Sequence, residues 1–271
     1  MLYLLAYPGP GRRTVRHGLL AAMMLLLSAC STYQPGALDI DRSIQAKSQN
    51  SRVEFVVLHY TSASNETSLK ILSERNVSSH YLVTKEARPH VYQLVGENRR
   101  AWHAGVSAWF DRSDMNSGSI GIEIVNQGRE GEQWDPYDPV QMQVVAALLQ
   151  DIIRRHQIKP HNIVGHSDIA PQRKIDPGPL FPWKQLADQG IGRWYDEGKA
   201  RLYEQEFLTM GLPDIAWVQA QLRRLGYTVP DSGELDKASK NVIAAFQMHY
   251  RPARHDGMPD AQTLAIMKAL R

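Results

Sequence analysis

The chain has 271 residues, 43% of them hydrophobic and 22% charged, which is enough for a domain of ordinary size and a smaller one. Its formal charge of +3 comes from the first thirty residues, which contain three Arg and no Asp or Glu. The remaining 28 basic residues balance the 28 acidic ones, so neither a nucleic acid nor a polyphosphate is expected as a partner. The single Cys excludes an internal disulfide framework.

The amino-terminal segment has the pattern of a secretion signal. Basic residues precede an apolar run over 18–27, which is too short for a transmembrane helix but suits a signal-peptide core. The block Leu27-Ser28-Ala29-Cys30 resembles the lipobox of bacterial lipoproteins, in which the Cys becomes the lipidated first residue. We therefore predict a signal peptide over 1–29, a lipidated tether over 30–51 and a membrane anchor at Cys30. The alternative is an ordinary cleaved signal followed by an incidental Cys.

The residues after Cys30 bear on location. Ser31 stands where, by the same resemblance, an Asp would favour the inner membrane. We therefore expect an outer membrane lipoprotein on the periplasmic face of a Gram-negative cell. Residues 31–51 are polar and lack periodicity, as expected of a tether.

Short apolar runs with β-branched members predict the strands of a first domain. They cover residues 55–58, 80–84, 90–95, 119–125 and 163–164. The run 119–125 alternates, with three Ile on one face and Gly121 and Glu123 on the other. A short helix is predicted over 67–75. A longer amphipathic helix is predicted over 139–156, with Val140, Val144 and Ala147 among its inward residues.

A second unit begins near Leu212. Its first predicted helix has an apolar inward face and ends at Gly226, a position suited to a carboxy-terminal glycine. The pattern Gly-x-x-Asp-x-x-Ser/Thr then occurs twice, over 233–239 and 257–263, and each Asp can cap a following helix. Residues 212–271 therefore predict a small three-helix domain. The segment 191–211 is interpreted as a linker or as a helix packed between the two units.

A histidine and an aspartate lie ten positions apart, at His166 and Asp176, in a segment too rich in Pro and Gly to be one helix. His59, at the end of the first predicted strand, offers a second imidazole. Two His and one Asp would supply three ligands and leave a fourth tetrahedral position open, as in a catalytic zinc site. Taken alone, a histidine such as His59 is more often a strand-end residue with an ordinary polar contact.

Glu123 and Lys174 are candidates for the chemistry around such a metal. Glu123 is a charged residue in an otherwise apolar strand, where burial without a partner would be costly. A carboxylate near a metal-activated water can act as a general base. Lys174 lies two residues before Asp176 and could stabilise a developing oxyanion. The alternatives are a strand carboxylate paired with an Arg, for Glu123, and a solvated loop residue, for Lys174.

Five blocks of the first domain together resemble a known family. They are FVVLHYT (55–61), SHYLV (79–83), AWHAG (101–105), SIGIE (119–123) and the run 164–178. In this order they resemble the zinc-dependent N-acetylmuramoyl-L-alanine amidases of the type-2 amidase family. The resemblance implies that His103 lies in the substrate groove, where it contacts the peptide or muramyl group. The other implied roles are zinc ligation by His59, His166 and Asp176, general-base work by Glu123 and transition-state stabilisation by Lys174.

The carboxy-terminal unit independently resembles the bacterial peptidoglycan-binding domain that has the same doubled motif. Together the two resemblances imply an α/β fold class, with a mixed β-sheet flanked by helices over 52–190. A linker over 191–211 and a three-helix peptidoglycan-binding domain over 212–271 would follow. The implied activity is Zn2+-dependent hydrolysis of the amide between the lactyl group of N-acetylmuramic acid and L-alanine, in peptidoglycan or muropeptides.

Two alternatives stay open at the level of the sequence. A zinc peptidase that cuts within the stem peptide could carry the same binding domain. A non-catalytic tether could fix the outer membrane to the wall.

Overall fold

The computed structural model describes residue 38 and residues 40–270. The chain divides into two compact units, residues 1–49 and residues 50–271. In the first unit, the described residues form no helix or strand. The predicted signal peptide and Cys30 lie outside the described residues. No helix among the described residues is long and apolar enough to cross a membrane.

The second unit is built on a five-stranded mixed sheet flanked by helices, as predicted. The strands of this unit are β1 (Phe55–Tyr60), β2 (Tyr81–Val83), β3 (Val91–Gln93), β4 (Ala108–Trp109), β5 (Arg112–Ser113), β6 (Ser119–Ile124), β7 (Arg129–Glu130), β8 (Gln133–Trp134) and β9 (Ile163–Gly165). The sheet has the order β3-β2-β6-β1-β9, in which β2, β6, β1 and β9 are parallel and β3 pairs antiparallel with β2 at one edge. The helices are α1 (Asn65–Glu74), α2 (Pro139–His156), α3 (His166–Ile169), α4 (Trp183–Ala187), α5 (Glu197–Met210), α6 (Ile215–Leu225), α7 (Lys237–Tyr250) and α8 (Ala261–Ala269).

Helix α2 covers one face of the sheet and spans the residues predicted for it. The predicted inward face is partly wrong, because Val140 and Ala147 are exposed. The helix instead buries Gln141, whose amide donates to the carbonyl groups of Val83 and Val125 at 3.3 and 2.9 Å. A buried polar side chain is invisible to hydrophobic periodicity. The two hydrogen bonds satisfy the NH2 group of Gln141, and its Oε1 atom has no hydrogen-bond partner among the described residues.

The doubled motif of the carboxy-terminal helices has one explanation in both copies. Asp236 caps α7 by accepting a hydrogen bond from Ser239 N at 2.7 Å, as predicted. The buried Gln219 on α6 holds the loop before this cap: it accepts from Gly233 N at 2.9 Å and donates to the Ser239 hydroxyl at 2.9 Å. The second copy repeats this arrangement with Asp260, Thr263, Gln247 and Gly257. Each motif therefore supplies a cap and the partners of a buried glutamine.

The segment predicted as a linker contains helix α5, which packs along α8. Its Phe207 is buried in the core of the carboxy-terminal helices. Glu206 on the same helix pairs with Lys268 at 2.7 Å. The carboxy-terminal bundle thus contains the three predicted helices, α6 to α8, and α5 in addition.

Candidate metal centre

Three side chains from two strand ends and one loop meet at the carboxyl edge of the sheet. His59 is the next-to-last residue of β1, and His166 directly follows β9, the strand paired with β1. Asp176 is brought back to this edge by a hydrogen bond from Ser167 N to its carbonyl group, at 2.7 Å. The Nδ1 atoms of His59 and His166 lie 3.0 Å apart, and each lies within 3.1 Å of Asp176 Oδ2. Three buried donor atoms therefore form a compact triangle.

The protonation of these groups suits a cation. Burial and the neighbouring His166 lower the pKa of His59 to about 4, against the opposing effect of Asp176. Burial alone would raise the pKa of Asp176, but its close contacts with the imidazoles of His166 and His59 outweigh burial and hold that pKa below its usual range. A neutral imidazole and a carboxylate are the forms that a metal requires.

Glu123 stands directly beside this triangle, because β1 and β6 pair in parallel with His59 and Glu123 as partners. Burial, and then the charge of Asp176, raise its pKa well above the usual value. Its Oε2 atom is buried and has no hydrogen-bond partner among the described residues. An unsatisfied carboxylate oxygen in such a place calls for a ligand, ion or water. Together with the donor atoms of two His and one Asp, this free carboxylate oxygen fits a catalytic zinc site, in which one coordination position is left open.

Lys174 lines the same cavity, and its positive charge affects the pKa values of two neighbouring groups. Its ammonium group lowers the pKa of both Glu123 and His59 through space. The other lining residues include His103, Trp102 and Arg173. One cavity is therefore lined by all six of the polar residues predicted as site residues of this domain: His59, His103, Glu123, His166, Lys174 and Asp176.

His103 lies behind His59, and both of its ring nitrogens are already engaged. Its Nδ1 is 3.0 Å from His59 Nε2, and its Nε2 is 3.1 Å from Ser119 Oγ. Burial and the neighbouring imidazoles of His59, His80 and His166 lower its pKa well below the usual value. His103 lines the cavity, and both of its ring nitrogens contact protein atoms; its contact with substrate, which the resemblance implies, stays a prediction.

Two family models match the chain, one over the mixed sheet and its helices and the other over the carboxy-terminal helices. Residues 49–179 match the N-acetylmuramoyl-L-alanine amidase family, and residues 212–267 match a peptidoglycan binding domain. The chain is 42% identical to N-acetylmuramoyl-L-alanine amidase AmiD of Escherichia coli (strain K12), over 93% of this chain and 95% of that protein. The chain belongs to the N-acetylmuramoyl-L-alanine amidase family.

Solved structures of this amidase family have the same fold. The crystal structure of AmpDh3 from Pseudomonas aeruginosa superposes with a TM-score of 0.81 at 39% identity, and the match covers 86% of this chain and 98% of that one. The complex of E. coli AmiD with anhydro-N-acetylmuramic acid-L-Ala-D-gamma-Glu-L-Lys superposes with a TM-score of 0.77 at 42% identity, covering 85% and 93%. Both matches extend over the amidase fold and the carboxy-terminal helices.

Membership of the amidase family settles the class of reaction. The enzyme hydrolyses the amide bond between N-acetylmuramic acid and L-alanine in peptidoglycan material. The stem peptidase and the non-catalytic tether, which the sequence left open, are therefore set aside. The cavity that holds Glu123, Lys174 and the His-His-Asp triangle is the candidate active site of this amidase.

The groups that hold the ligands in place could not be recognised from the sequence. The carbonyl oxygen of Ala104 lies 3.0 Å from His166 Nε2, and Arg173 donates to the carbonyl groups of Ala104 and Val106. Asn116 accepts hydrogen bonds from the backbone N–H groups of His103 and Ala104, at 3.0 and 2.8 Å. Backbone carbonyl groups have no sequence signal. Asn116 lies in a one-turn 3-10 helix (Met115–Ser117) and Arg173 in a turn, and both are too short for periodicity to point to a role.

Proposed function

We propose that this amidase is zinc-dependent, with His59, His166 and Asp176 as the metal ligands. The carrying observation is the triangle of His59 Nδ1, His166 Nδ1 and Asp176 Oδ2, whose sides measure 3.0 to 3.1 Å. Zinc ligands of these types lie about 2.0–2.2 Å from the ion, so three atoms this close together can share one cation. When bound, zinc would supply Lewis-acid activation of the scissile carbonyl and of a water molecule.

The remaining chemistry is assigned to Glu123 and Lys174. Glu123 takes the proton of the attacking water, for which a raised pKa and a free carboxylate oxygen are suited. The same proton is then available for the amine of L-alanine as the amide bond breaks. Lys174 stabilises the negative charge that develops on the carbonyl oxygen. Lys174 lines the same cavity as Glu123 and the three candidate ligands, which supports this role.

Product analysis tests this proposal most directly. Purified enzyme is incubated with isolated sacculi and, separately, with anhydro-muropeptides, and the products are identified by mass spectrometry. We expect peptides that begin with L-alanine and glycan free of peptide. We expect activity to disappear with a chelator and to return with added zinc. Muramyl-peptides shortened at another bond would contradict the assigned reaction, and full activity in the presence of the chelator would contradict the zinc requirement.

We further propose that the enzyme is an outer membrane lipoprotein that faces the periplasm, with lipid on Cys30. The support is the lipobox-like block at 27–30 and the polar segment that follows it. Cys30→Ala should release the protein from the membrane fraction, and mass spectrometry of the wild-type amino terminus should find acyl chains. A Cys30 variant that remains in the outer membrane fraction would contradict the lipid anchor.

The carboxy-terminal bundle is proposed to bind the wall itself. The support is the match of residues 212–267 to a peptidoglycan binding domain. Binding at a distance from the reacting bond would raise the local substrate concentration and leave the chemical step unchanged. Sedimentation with isolated sacculi should therefore retain the inactive Glu123 variant as strongly as the wild type.

A further inference from the structure

We infer that His103 is a positioning residue that, together with Ser119, sets the tautomer of His59 so that its Nδ1 atom is free to bind zinc. This inference rests on the zinc site of the proposed function and goes beyond it. The resemblance implies that His103 contacts substrate, and the hydrogen bonds around its ring point to a further task.

His59, His103 and Ser119 form a chain of hydrogen bonds, and Ser119 determines which atom donates at each step. Ser119 Oγ lies 2.5 Å from the carbonyl oxygen of Met115 and 3.1 Å from His103 Nε2. A backbone carbonyl can only accept, so the serine hydroxyl donates its one hydrogen to Met115. Ser119 Oγ must therefore accept from His103, which places the proton of His103 on Nε2.

The remaining steps follow from the chemistry of neutral imidazole. A neutral ring has one N–H and one lone pair, so a proton on Nε2 leaves His103 Nδ1 as an acceptor. His59 Nε2, at 3.0 Å, then donates to it. His59 is left with its lone pair on Nδ1, the atom that points at His166 and Asp176. The opposite tautomer would put a proton on the ligating atom and set two lone pairs against each other at Ser119.

The tautomer of His166, the second proposed histidine ligand, is set by a direct hydrogen bond to the backbone. The carbonyl oxygen of Ala104, 3.0 Å from His166 Nε2, can only accept, so Nε2 donates to it and Nδ1 is left free. Arg173 Nη2 lies farther from Nε2, at 3.4 Å, and donates to the carbonyl groups of Ala104 and Val106. Ala104 is the neighbour of His103, and Asn116 holds the backbone of both. One short segment thus fixes both imidazole ligands. Such outer partners orient the ring and increase its affinity for metal.

Strand β6 is shaped to receive the ring of His103. Ser119, Gly121 and Glu123 occupy alternate positions of this strand and so share one face. A Cβ atom at Gly121 would overlap Cγ of His103, so the ring occupies the space that a side chain would need. The pattern Ser-x-Gly-x-Glu therefore supplies an anchor, a gap and the proposed general base on one face.

Zinc affinity, measured without substrate, tests the inference. Competition with a chromogenic chelator on the full-length protein gives the zinc dissociation constant. We expect His103→Ala to weaken zinc binding by about 10–100-fold, the range found for loss of outer partners of a ligand. His103→Asn, whose amide oxygen can accept from His59, should recover part of this loss. Val106→Ala is the control, because Val106 is 90% exposed in the same segment, and its zinc affinity should equal that of the wild type.

Further readouts separate this role from the alternatives. Unchanged zinc affinity in His103→Ala, with a raised KM alone, would overturn the inference in favour of substrate contact. Equal losses in the Ala and Asn variants would also overturn it, because the missing ring volume would then be the cause. Ser119→Ala leaves the ring in place and should still weaken zinc binding, by about tenfold or less, if His103→Ala does not fold. Wild-type protein that fails to bind zinc would instead refute the proposed function.

Discussion

His59 and Glu123 are partners on adjacent parallel strands, so the fold delivers a candidate ligand and a candidate base to one point without a long-range loop. At the residue scale, the sequence allowed the principal groups to be named, because spacing and resemblance both point to His, Asp, Glu and Lys in defined blocks. The groups that orient them could not be named. The carbonyl oxygens of Ala104 and Met115 become relevant only when distant segments meet.

Removal of the carboxylate ligand should abolish metal binding. Asp176→Ala takes one of three donor atoms from a buried site, so we expect zinc content measured by atomic spectroscopy to fall from stoichiometric to near zero, and activity with it. Asp188→Ala is the matched control, since Asp188 is an exposed carboxylate paired only with Lys184 in the described part of the chain. Full zinc occupancy in the purified Asp176 variant would refute the ligand assignment.

Glu123→Gln should separate metal binding from turnover. The amide keeps the shape of the side chain but cannot take a proton, so kcat should fall by about 10²–10⁴-fold while zinc content is retained. Steady-state kinetics and metal analysis of the same preparation check both expectations. Wild-type turnover in this variant would mean that another group is the base.

The same substitution has a consequence for stability and pH in the metal-free protein. Burial raises the pKa of Glu123 in the folded state, so the fold holds the proton more tightly than the unfolded chain does. Stability contributed by this group is then complete below the unfolded pKa of about 4.3 and declines as pH rises above it. Glu123→Gln lacks this decline. Melting temperatures of metal-free protein should therefore favour the variant increasingly between acid and neutral pH, and parallel curves would contradict the assignment.

At the scale of elements, periodicity located the helices better than it oriented them. Helix α2 forms over the predicted residues, yet Gln141 is buried and Val140 is exposed. The doubled motif shows the same limit. Its Asp caps were predictable from sequence, since capping is local. The roles of the buried Gln219 and Gln247 were not predictable. Each glutamine joins the Gly and the Ser or Thr of one copy, and these partners lie 10 to 20 residues away along the chain.

The buried glutamine of the first copy should be a major contributor to stability. Gln219→Ala leaves the Gly233 N–H group and the Ser239 hydroxyl without their partner, and we expect a loss of about 2–4 kcal/mol in the free energy of unfolding. Urea denaturation followed by circular dichroism measures it. Gln262→Ala, at an exposed position of α8, should change the free energy by no more than about 0.5 kcal/mol. Equal behaviour of the two variants would show that the buried network carries no stability.

At the scale of the whole molecule, the carboxy-terminal helices are built onto the amidase half through a buried carboxylate. Asp168 lies on α3, two residues after His166, and is 1% exposed. One oxygen accepts from the hydroxyl of Tyr227 at 2.7 Å, and the other accepts from His249 Nδ1 at 2.8 Å. The ring of His249 also stacks on Trp183 at 3.8 Å. The sequence predicted two domains and a linker. It gave no sign of this junction, because the partners of Asp168 lie 59 and 81 residues away along the chain.

This junction predicts that the amidase fold and the carboxy-terminal helices unfold together. Tyr227→Phe removes one hydrogen bond to a buried carboxylate and nothing else, so the free energy of unfolding should fall by about 1.5–3 kcal/mol. Tyr92→Phe removes an exposed hydroxyl and should leave it within about 0.5 kcal/mol of the wild type. Tryptophan fluorescence and circular dichroism should give coincident urea transitions in the wild type, since Trp109 and Trp183 of the amidase half contact Tyr227 and His249. Two separate transitions, with only the later one shifted by Tyr227→Phe, would mean that the carboxy-terminal helices are an independent attachment. A single shifted transition would make wall binding and catalysis properties of one cooperative body, joined two residues from a proposed zinc ligand.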